Sequence, residues 1–150
     1  MSGTYSNLVY HIVFSTKNRY RLITHALEAD LYKYVGGIIR EIGGVCLEIN
    51  GTSDHVHLLT KLPPKLAISN VLRTIKANSS KWANESKQGL RKFGWQDGYA
   101  SFSVSKSQIH SVQRYVRKQK EHHTQTDFKT EFIELLNKHD VDYDERYIWN

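Results

Sequence analysis

Two histidines separated by one residue, His55 and His57, are the clearest chemical signal in the sequence. Alternate side chains of a β-strand share a face, so both imidazoles would lie on one side of a sheet. Their Cα atoms would be roughly 6.6 Å apart, and two such imidazoles can hold one metal ion at about 2.1 Å each. A pair that only covers a solvated sheet face is the alternative. Asp54 could orient one of the imidazoles or simply form the preceding turn.

A second candidate pair is Tyr115 and Gln119, four residues apart on a helix predicted over 108–123. Residues at this spacing share one helix face. A phenol with a pKa of about 10 is a poor nucleophile, but neighbouring cations favour the phenolate. A half-buried core role for Tyr115 and a solvated Gln119 are the alternatives. We interpret His122 and His123, at the end of the same helix, as residues that face a bound partner or solvent rather than as ligands.

Two further residues have simpler interpretations. His11 lies on the first predicted strand, where we expect a hydrogen-bonded structural histidine rather than a ligand. Cys46 is the only cysteine, so an internal disulfide and a cysteine-based metal cluster are excluded, and we expect a core side chain. The absence of disulfides, of a membrane-length apolar run and of a signal-peptide pattern predicts a cytoplasmic protein with no membrane partner.

The hydrophobic pattern predicts which elements position these residues. Strands alternate with helices in the order strand, helix, strand, strand, helix, strand, followed by two further helices. This order predicts an α+β fold: a ferredoxin-like antiparallel sheet with helices packed on one face, plus a C-terminal tyrosine-bearing helix and an extra helix. The other face would be left for water, a ligand or a second subunit. The strands are predicted at 5–14, 45–50, 55–62 and 98–104, and residues 1–150 form one domain.

The first predicted helix has clear boundaries. Thr24 is a plausible N-cap, and Gly43-Gly44 ends the apolar periodicity that begins at Leu27. Gly36-Gly37 interrupts the helix at a cost of about 1 kcal/mol each relative to alanine, so we expect close packing there. A second helix carries the apolar residues between 68 and 82, and a basic, glycine-punctuated loop covers 87–94.

The charge balance predicts an anionic partner. Lys and Arg total 21 against 15 Asp and Glu, for a net charge of +6 and a pI near 9.4. Aromatic residues, at 11%, favour nucleic acid over lipid, because bases stack on rings while cations hold phosphates. A solvated basic surface is the alternative. The candidate nucleic-acid-binding cations are Arg40, Arg73, Lys76, Lys81, Arg91, Lys92, Arg114 and Lys118.

Five segments in this order resemble the single-tyrosine HUH transposases, small insertion-sequence enzymes of the IS-two-hundred-like type that include REP-associated relatives. HUH denotes histidine, a hydrophobic residue and histidine. The histidine motif alone is weak, but the ordered set at these spacings is specific. The segments are 10–19, 54–59, 94–99, 115–119 and 144–149.

The resemblance implies a role for each matching residue. His55 and His57 match the metal-binding pair, Tyr115 the nucleophile and Gln119 the third ligand of a Mg²⁺ or Mn²⁺ ion. The implied activity is a transposase that cuts and rejoins single-stranded DNA with hairpin ends through a 5′-phosphotyrosine. The implied working unit is a homodimer joined edge to edge, for which the fourth strand could supply the edge, with each tyrosine helix completing the partner's site.

Two alternatives remain open from the sequence. A non-catalytic single-strand nucleic-acid binder on this topology would carry stacking aromatics on its central strands. The corresponding strand here presents His55, His57 and Lys61 instead. A domesticated nickase would share the same chemistry, so the sequence does not separate it from a transposase.

Overall fold

The computed structural model of the chain describes residues 3–86 and 91–149. Four strands form one sheet in the order β2-β3-β1-β4, and all neighbouring strands are antiparallel. This order confirms the predicted ferredoxin-like α+β fold. The strands are β1 (Val9–Ser15), β2 (Val45–Gly51), β3 (His55–Lys61) and β4 (Ala100–Val104). The helices are α1 (His25–Glu41), α2 (Ile68–Ser86), α3 (Ile109–Arg117), α4 (Gln119–His122) and α5 (Phe128–Lys138).

Helices α1 and α2 cover one face of the sheet. The central strands place Ile12, Phe14 and Leu58 on this face, each fully buried against the helices. The predicted N-cap of α1 is present, since Thr24 Oγ1 accepts a hydrogen bond from the Leu27 amide at 3.2 Å. This layer contains the larger hydrophobic core and holds the central strands rigidly in place.

Glycines inside and after α1 behave differently. A Cβ built on Gly36 would meet no atom within 4 Å, and one on Gly37 only the tip of Arg40 at 4.0 Å. The expected close packing at this pair is therefore wrong, because both positions lie on an open part of the helix surface. Gly43, by contrast, has a φ of +91°, a conformation that favours glycine and ends the helix.

Helices α3, α4 and α5 cover the other face, which the sequence predicted to be open. The odd positions of β1 and β3 place apolar side chains such as Val13 and Leu59 on this face, and their burial from water favours helices packed over them. Val116 of α3 packs on Leu59, and Phe132 of α5 packs in the cluster that contains Val13. The chain therefore closes its own second face, and a solvated or base-stacking sheet surface at this place is wrong.

Two predicted elements, the first strand and the tyrosine-bearing helix, differ clearly from the sequence prediction. β1 begins at Val9 rather than at residue 5, and Tyr5 is exposed. The helix predicted over 108–123 is broken at Lys118, with φ −95° and ψ 17°. The carbonyl that precedes this break, at Arg117, accepts instead from Asn50 Nδ2 at 2.8 Å, which explains the interruption. Lys87 and Gly89 of the predicted basic loop lie outside the described residues.

Cys46, which the sequence predicted to be a core residue, is partly buried. Its side chain packs against the core beneath α1 and α2 from the edge. Burial raises the pKa of its thiol to about 11, so it stays protonated and unreactive near neutral pH. Among the residues that the structure describes, no helix is both long and apolar enough to cross a membrane.

Candidate metal and tyrosine site

β3 presents His55 and His57 to the face covered by α3–α5. In register, His57 lies opposite Val13 and His55 opposite Ser15 of β1. Both imidazoles are fully buried, and their ring centroids are 5.1 Å apart. The strand alternation therefore places the pair on one face, as predicted, but inside the protein rather than on an open surface.

Each of these imidazoles has its Nδ1 atom held by a neighbour. His55 Nδ1 lies 2.8 Å from Asp54 Oδ1, and the same carboxylate oxygen accepts from Thr52 Oγ1 at 2.9 Å. His57 Nδ1 lies 2.8 Å from His11 Nε2. The Nε2 atoms of the pair consequently face the interior of the site. Of the two interpretations of Asp54, the one that orients an imidazole has the contact it requires.

Burial and neighbouring groups shift the pKa of the strand histidines in opposite directions. Burial lowers the pKa of His57 to about 4, more than its contact with Glu131 raises it. Burial and the adjacent His57 lower the pKa of His11 to about 3. Burial lowers the pKa of His55 too, but its hydrogen bonds with Asp54 and Glu131 outweigh burial and raise it to about 9. His11 and His57 are therefore neutral imidazoles at neutral pH.

Tyr115 reaches this cluster from α3. Its ring centroid lies 5.7 Å from that of His57 and 6.0 Å from that of His11, and its hydroxyl donates a hydrogen bond to Glu131 Oε2. Burial, together with the Glu131 carboxylate, raises the pKa of the phenol above its usual value. The structure thus holds Tyr115 as a neutral phenol whose proton already faces an acceptor.

Gln119 is fully buried at the start of α4. Its Oε1 atom lies 3.1 Å from His55 Nε2, and its Nε2 atom donates to Glu131 Oε2 at 2.9 Å. The four predicted site residues, Tyr115, His55, His57 and Gln119, therefore meet in one place. A solvated position for Gln119 is wrong.

Glu131 of α5 lies at the centre of the cluster, although the sequence analysis did not single it out. Its Oε1 atom lies 2.9 Å from His57 Nε2, 2.8 Å from His123 Nε2 and 3.5 Å from His55 Nε2. Burial alone would raise the pKa of this carboxyl, but hydrogen bonds with His123, His55 and His57 hold it well below its usual range. Glu131 is therefore an ionised carboxylate inside the protein.

His123 also belongs to the cluster, so its interpretation as a solvated residue is wrong. Its side chain is 8% exposed, its Nδ1 atom lies 2.8 Å from the Thr126 carbonyl oxygen, and its ring centroid lies 4.4 Å from that of His55. His122 is partly exposed; its buried Nε2 atom lies 3.5 Å from Glu131 Oε2 and has no hydrogen-bond partner among the described residues.

One sequence signal could have identified Glu131. It occupies the buried stripe of α5 together with Phe128, Phe132 and Leu135, at positions where a helix normally carries apolar residues. A carboxylate is rarely buried unless it is paired or binds a metal. No comparable local signal marks His123.

The donor set of the cluster fits a divalent metal. Ligand atoms of His55, His57, His123 and Glu131 all lie within 4.8 Å of one another. Imidazole nitrogens with a carboxylate or amide oxygen are a usual combination for transition metals in proteins. The residues present therefore fit an ion, and Gln119 Oε1 is a further oxygen donor at its edge.

A cleft of about 470 Å³ leads to the nucleophile candidate. His11 and Tyr115 form part of its wall, together with Ser103 of β4 and Lys138 of α5. Such a volume is within the usual range for a bound small group such as a nucleotide. Tyr115 is thus reachable from solvent, while the imidazoles behind it are buried.

The eight candidate DNA-binding cations are split between the two sides of the sheet. Arg114 and Lys118 are exposed near the tyrosine site. The other six lie on α1, on α2 or on the segment between α2 and β4. Lys76 differs from the rest because its Nζ atom donates to the carbonyl oxygens of Gln96, Asp97 and Gly98, at 2.9, 3.2 and 2.6 Å. The exposed members of the six are Arg40, Arg73, Lys81, Arg91 and Lys92.

The chain combines a ferredoxin-like fold with a histidine pair on a central strand and one tyrosine beside that pair. This combination is typical of single-tyrosine HUH domains. The family model for IS200-like transposases matches residues 4–119. The transposase of insertion sequence IS200 from Salmonella typhimurium is 30% identical over 131 residues, which span 81% of this chain and 82% of that protein. The chain therefore belongs to the IS200-like transposase family and is a DNA transposase.

Two solved structures share the fold. A crystal structure of a candidate transposase from Deinococcus radiodurans R1 superposes with a TM-score of 0.64 at 21% identity, covering 79% of this chain and 95% of that one. The structure of a REP-associated tyrosine transposase bound to a REP hairpin gives a TM-score of 0.61 at 15% identity, covering 82% and 74%. At these identities the likeness concerns the fold.

Proposed function

We propose that residues 1–150 form one transposase domain that cuts and rejoins single-stranded DNA through a covalent bond to Tyr115. The observation that carries the proposal is the convergence of the Tyr115 hydroxyl, His55, His57 and Gln119 on one buried cluster next to an open cleft. A nucleophile beside a potential metal site is what phosphodiester transfer requires.

His55, His57 and Gln119 would hold a divalent ion, Mg²⁺ or Mn²⁺ by resemblance. When bound, such an ion supplies Lewis-acid stabilisation of the charge on a phosphoryl oxygen. His57, whose pKa is lowered to about 4, already has the neutral state that a ligand needs, whereas His55, whose pKa is raised to about 9, would release a proton when an ion binds. Metal dependence of this chain is part of the proposal.

The chemical step uses Tyr115 as nucleophile. Its hydroxyl oxygen forms a bond to phosphorus, and the bond from phosphorus to the 3′-oxygen breaks, which leaves a 5′-phosphotyrosine. The phenol proton passes by way of Glu131 Oε2, which already accepts its hydrogen bond, to solvent, and the departing 3′-oxygen takes up one proton from solvent, so that the protons balance. A later 3′-hydroxyl can attack the phosphotyrosine and reverse the step, so ends are rejoined without ATP.

The DNA partner is supported by charge and by the family. The net charge of +6 favours a polyanion, and the structurally similar REP-associated transposase is bound to a REP hairpin. We propose that Arg114 and Lys118 contact the strand near Tyr115, while the exposed cations of the α1 and α2 layer contact a hairpin. Lys76 is the weakest candidate of the eight, because three carbonyls already occupy its ammonium group.

The homodimer and its cytoplasmic location, expected from the sequence, stay predictions. β4 is an edge strand of the sheet and could pair with a second copy. The resemblance implies that the tyrosine helix completes the partner's site. In this chain, however, Tyr115 and His57 contact the same Glu131 within one subunit, which supports a site completed in cis.

A covalent-trapping assay tests the proposed function. The protein is incubated with Mn²⁺ and 3′-end-labelled single-stranded hairpin DNA, because the 5′-phosphotyrosine retains the fragment that carries the 3′ end, and an SDS-stable adduct is sought on a gel. We expect an adduct with the unmodified protein and none with Tyr115→Phe, which keeps the ring but lacks the nucleophilic oxygen.

Tyr147→Phe serves as the matched control, because Tyr147 is an exposed tyrosine of the C-terminal tail. Its adduct yield should equal that of the unmodified protein. An adduct that persists in Tyr115→Phe would overturn the assignment of the nucleophile. DNA binding by Tyr115→Phe should be retained, which separates loss of chemistry from loss of folding.

A further inference from the structure

The C-terminal part of the chain contributes two groups to the site that lie outside the family match. The match ends at residue 119, whereas His123 and Glu131 follow it. Both groups are in contact with the histidine pair of β3. We propose that His123 and Glu131 are metal ligands in this protein, which gives it a site of three imidazoles and one carboxylate that selects a transition metal over Mg²⁺. This inference rests on the proposed function and revises its metal site: Glu131 replaces Gln119 as the main oxygen donor, and His123 is added as a third imidazole.

The orientation of the three imidazoles is the first argument. Each has its Nδ1 atom held by a group behind it: Asp54 for His55, His11 for His57 and the Thr126 carbonyl for His123. Metal-bound histidines typically use their second nitrogen in this way, because it fixes the tautomer and the ring orientation. All three Nε2 atoms are thereby aimed at one point.

The Glu131 carboxylate lies at the point where the three Nε2 atoms converge. Its Oε1 atom lies 2.9, 2.8 and 3.5 Å from the Nε2 atoms of His57, His123 and His55. In a tetrahedral shell with ligand distances of about 2.1 Å, neighbouring ligand atoms are about 3.4 Å apart. The three separations from Oε1 are near this value and all four ligand atoms lie within 4.8 Å of one another, so an ion that takes the place between them would be reached by side-chain shifts alone.

The two oxygens of Glu131 have separate partners, so one carboxylate contacts both the imidazoles and the Tyr115 hydroxyl. Oε1 faces the imidazoles, whereas Oε2 accepts hydrogen bonds from Tyr115 and Gln119. Ligation through Oε1 leaves Oε2 beside the nucleophile. Gln119 Oε1, next to His55 Nε2, is then a neighbour of the shell rather than its main oxygen donor.

The donor set predicts the metal. Mg²⁺ prefers six oxygen ligands and keeps several waters, so three imidazoles suit it poorly. Imidazole nitrogens suit Zn²⁺ and Fe²⁺, the carboxylate oxygen also suits Mn²⁺, and affinity for a given site is higher for Zn²⁺ than for Mn²⁺. We therefore expect one Zn²⁺ or Mn²⁺ per chain, with Zn²⁺ bound more tightly and Mg²⁺ failing to displace either at millimolar concentration.

Equilibrium dialysis with elemental analysis tests the ligand set directly. The unmodified protein should bind one Mn²⁺, and His123→Gln and Glu131→Gln should each weaken binding roughly tenfold or more. His110→Gln and Glu134→Gln are the matched controls, since His110 is an exposed histidine of α3 and Glu134 an exposed glutamate one turn from Glu131. Both controls should bind Mn²⁺ as the unmodified protein does.

A second measurement needs no substitution and so does not depend on the folding of a variant. In ¹⁵N-labelled protein, Zn²⁺ should shift the Nε2 resonances of His55, His57 and His123 and leave those of His110 unchanged. A shift confined to His55 and His57 would overturn the proposed role of His123.

The remaining outcomes are equally decisive. Unchanged Mn²⁺ affinity in Glu131→Gln would overturn the role of its carboxylate, and tighter binding would show that Glu131 competes with the ion instead of binding it. Tyr115→Phe should keep full Mn²⁺ affinity while forming no DNA adduct. The DNA-adduct assay therefore tests the proposed function, whereas the dialysis and NMR measurements test the proposed metal ligands.

Discussion

Each imidazole of the site uses its two nitrogens for different purposes. Nδ1 is fixed by a carboxylate, a carbonyl or another imidazole, and Nε2 points to the shared centre. Asp54 therefore positions the His55 imidazole although its carboxylate lies outside the cluster. The carboxylate makes a charge-assisted hydrogen bond to His55 at 2.8 Å.

Asp54→Asn therefore tests positioning at the scale of one residue. The amide oxygen can still accept from His55 Nδ1, but without the negative charge that strengthens the bond. We expect Mn²⁺ affinity to fall roughly tenfold, measured by dialysis, because the imidazole loses the charged partner that orients it. Asp142→Asn, in the exposed tail, is the control and should have no effect. Equal affinity in both variants would show that Asp54 only forms the turn.

At the scale of elements, the C-terminal helices assemble the site around β3. The break at Lys118 and the reversal that follows α4 bring α5 back across the sheet. Asp127 caps α5 by accepting from the Thr130 amide at 2.9 Å, and Phe128 stacks on the His55 ring with centroids 4.5 Å apart. One turn later, the same helix carries Glu131. The apolar contacts of α5 thus fix the position of its only buried carboxylate.

α1 offers a prediction on stability, because its two internal glycines have no packing role. Gly36→Ala and Gly37→Ala should each raise the free energy of unfolding by about 0.5–1 kcal/mol, since alanine restricts the unfolded chain and favours the helix. Urea or thermal unfolding measures the change.

Gly44→Ala is the contrasting variant. A Cβ atom there would lie 2.8 Å from the Lys61 carbonyl oxygen, so this substitution should lower the free energy of unfolding. Destabilisation by Gly36→Ala of the same size would show that α1 packs against a partner at this position, for example a second subunit.

At the scale of the whole molecule, the sheet separates two surfaces. Tyr115 and its cleft lie on the α3–α5 side, whereas most of the exposed candidate cations lie on the α1 and α2 side. A DNA substrate that contacts both surfaces would have to pass around an edge of the sheet. Tyr115 and His57 nevertheless contact the same carboxylate, Glu131, within one chain.

Mixing two inactive variants tests whether one chain is sufficient. Tyr115→Phe lacks the nucleophile and His57→Ala lacks an imidazole of the cluster. If each site is completed in cis, a mixture of the two variants should form no DNA adduct, as measured by the trapping assay. Adduct in the mixture would show that one subunit supplies Tyr115 to the His pair of another, and light scattering would give the oligomeric state.

The site is partly predictable from the sequence because some of its geometry is local. Alternation on a strand places His55 and His57 on one face, and helical spacing brings Tyr115 and Gln119 together. The same patterns predicted the four strands and the ferredoxin-like order. They failed at Lys118, where a side chain from β2, Asn50, interrupts the helix from outside.

The sequence by itself determined the order of the elements, the faces of the histidine pair and the family, since each depends on spacing along the chain. Only the tertiary structure decided which helices cover the histidines and which further groups meet them. Glu131 lies 74 residues from His57 in the chain, and their contact at 2.9 Å depends on how α4 and α5 fold back over the sheet. Such packing is set by the whole core rather than by any local pattern, which is why His123 and Glu131 could be found only in three dimensions.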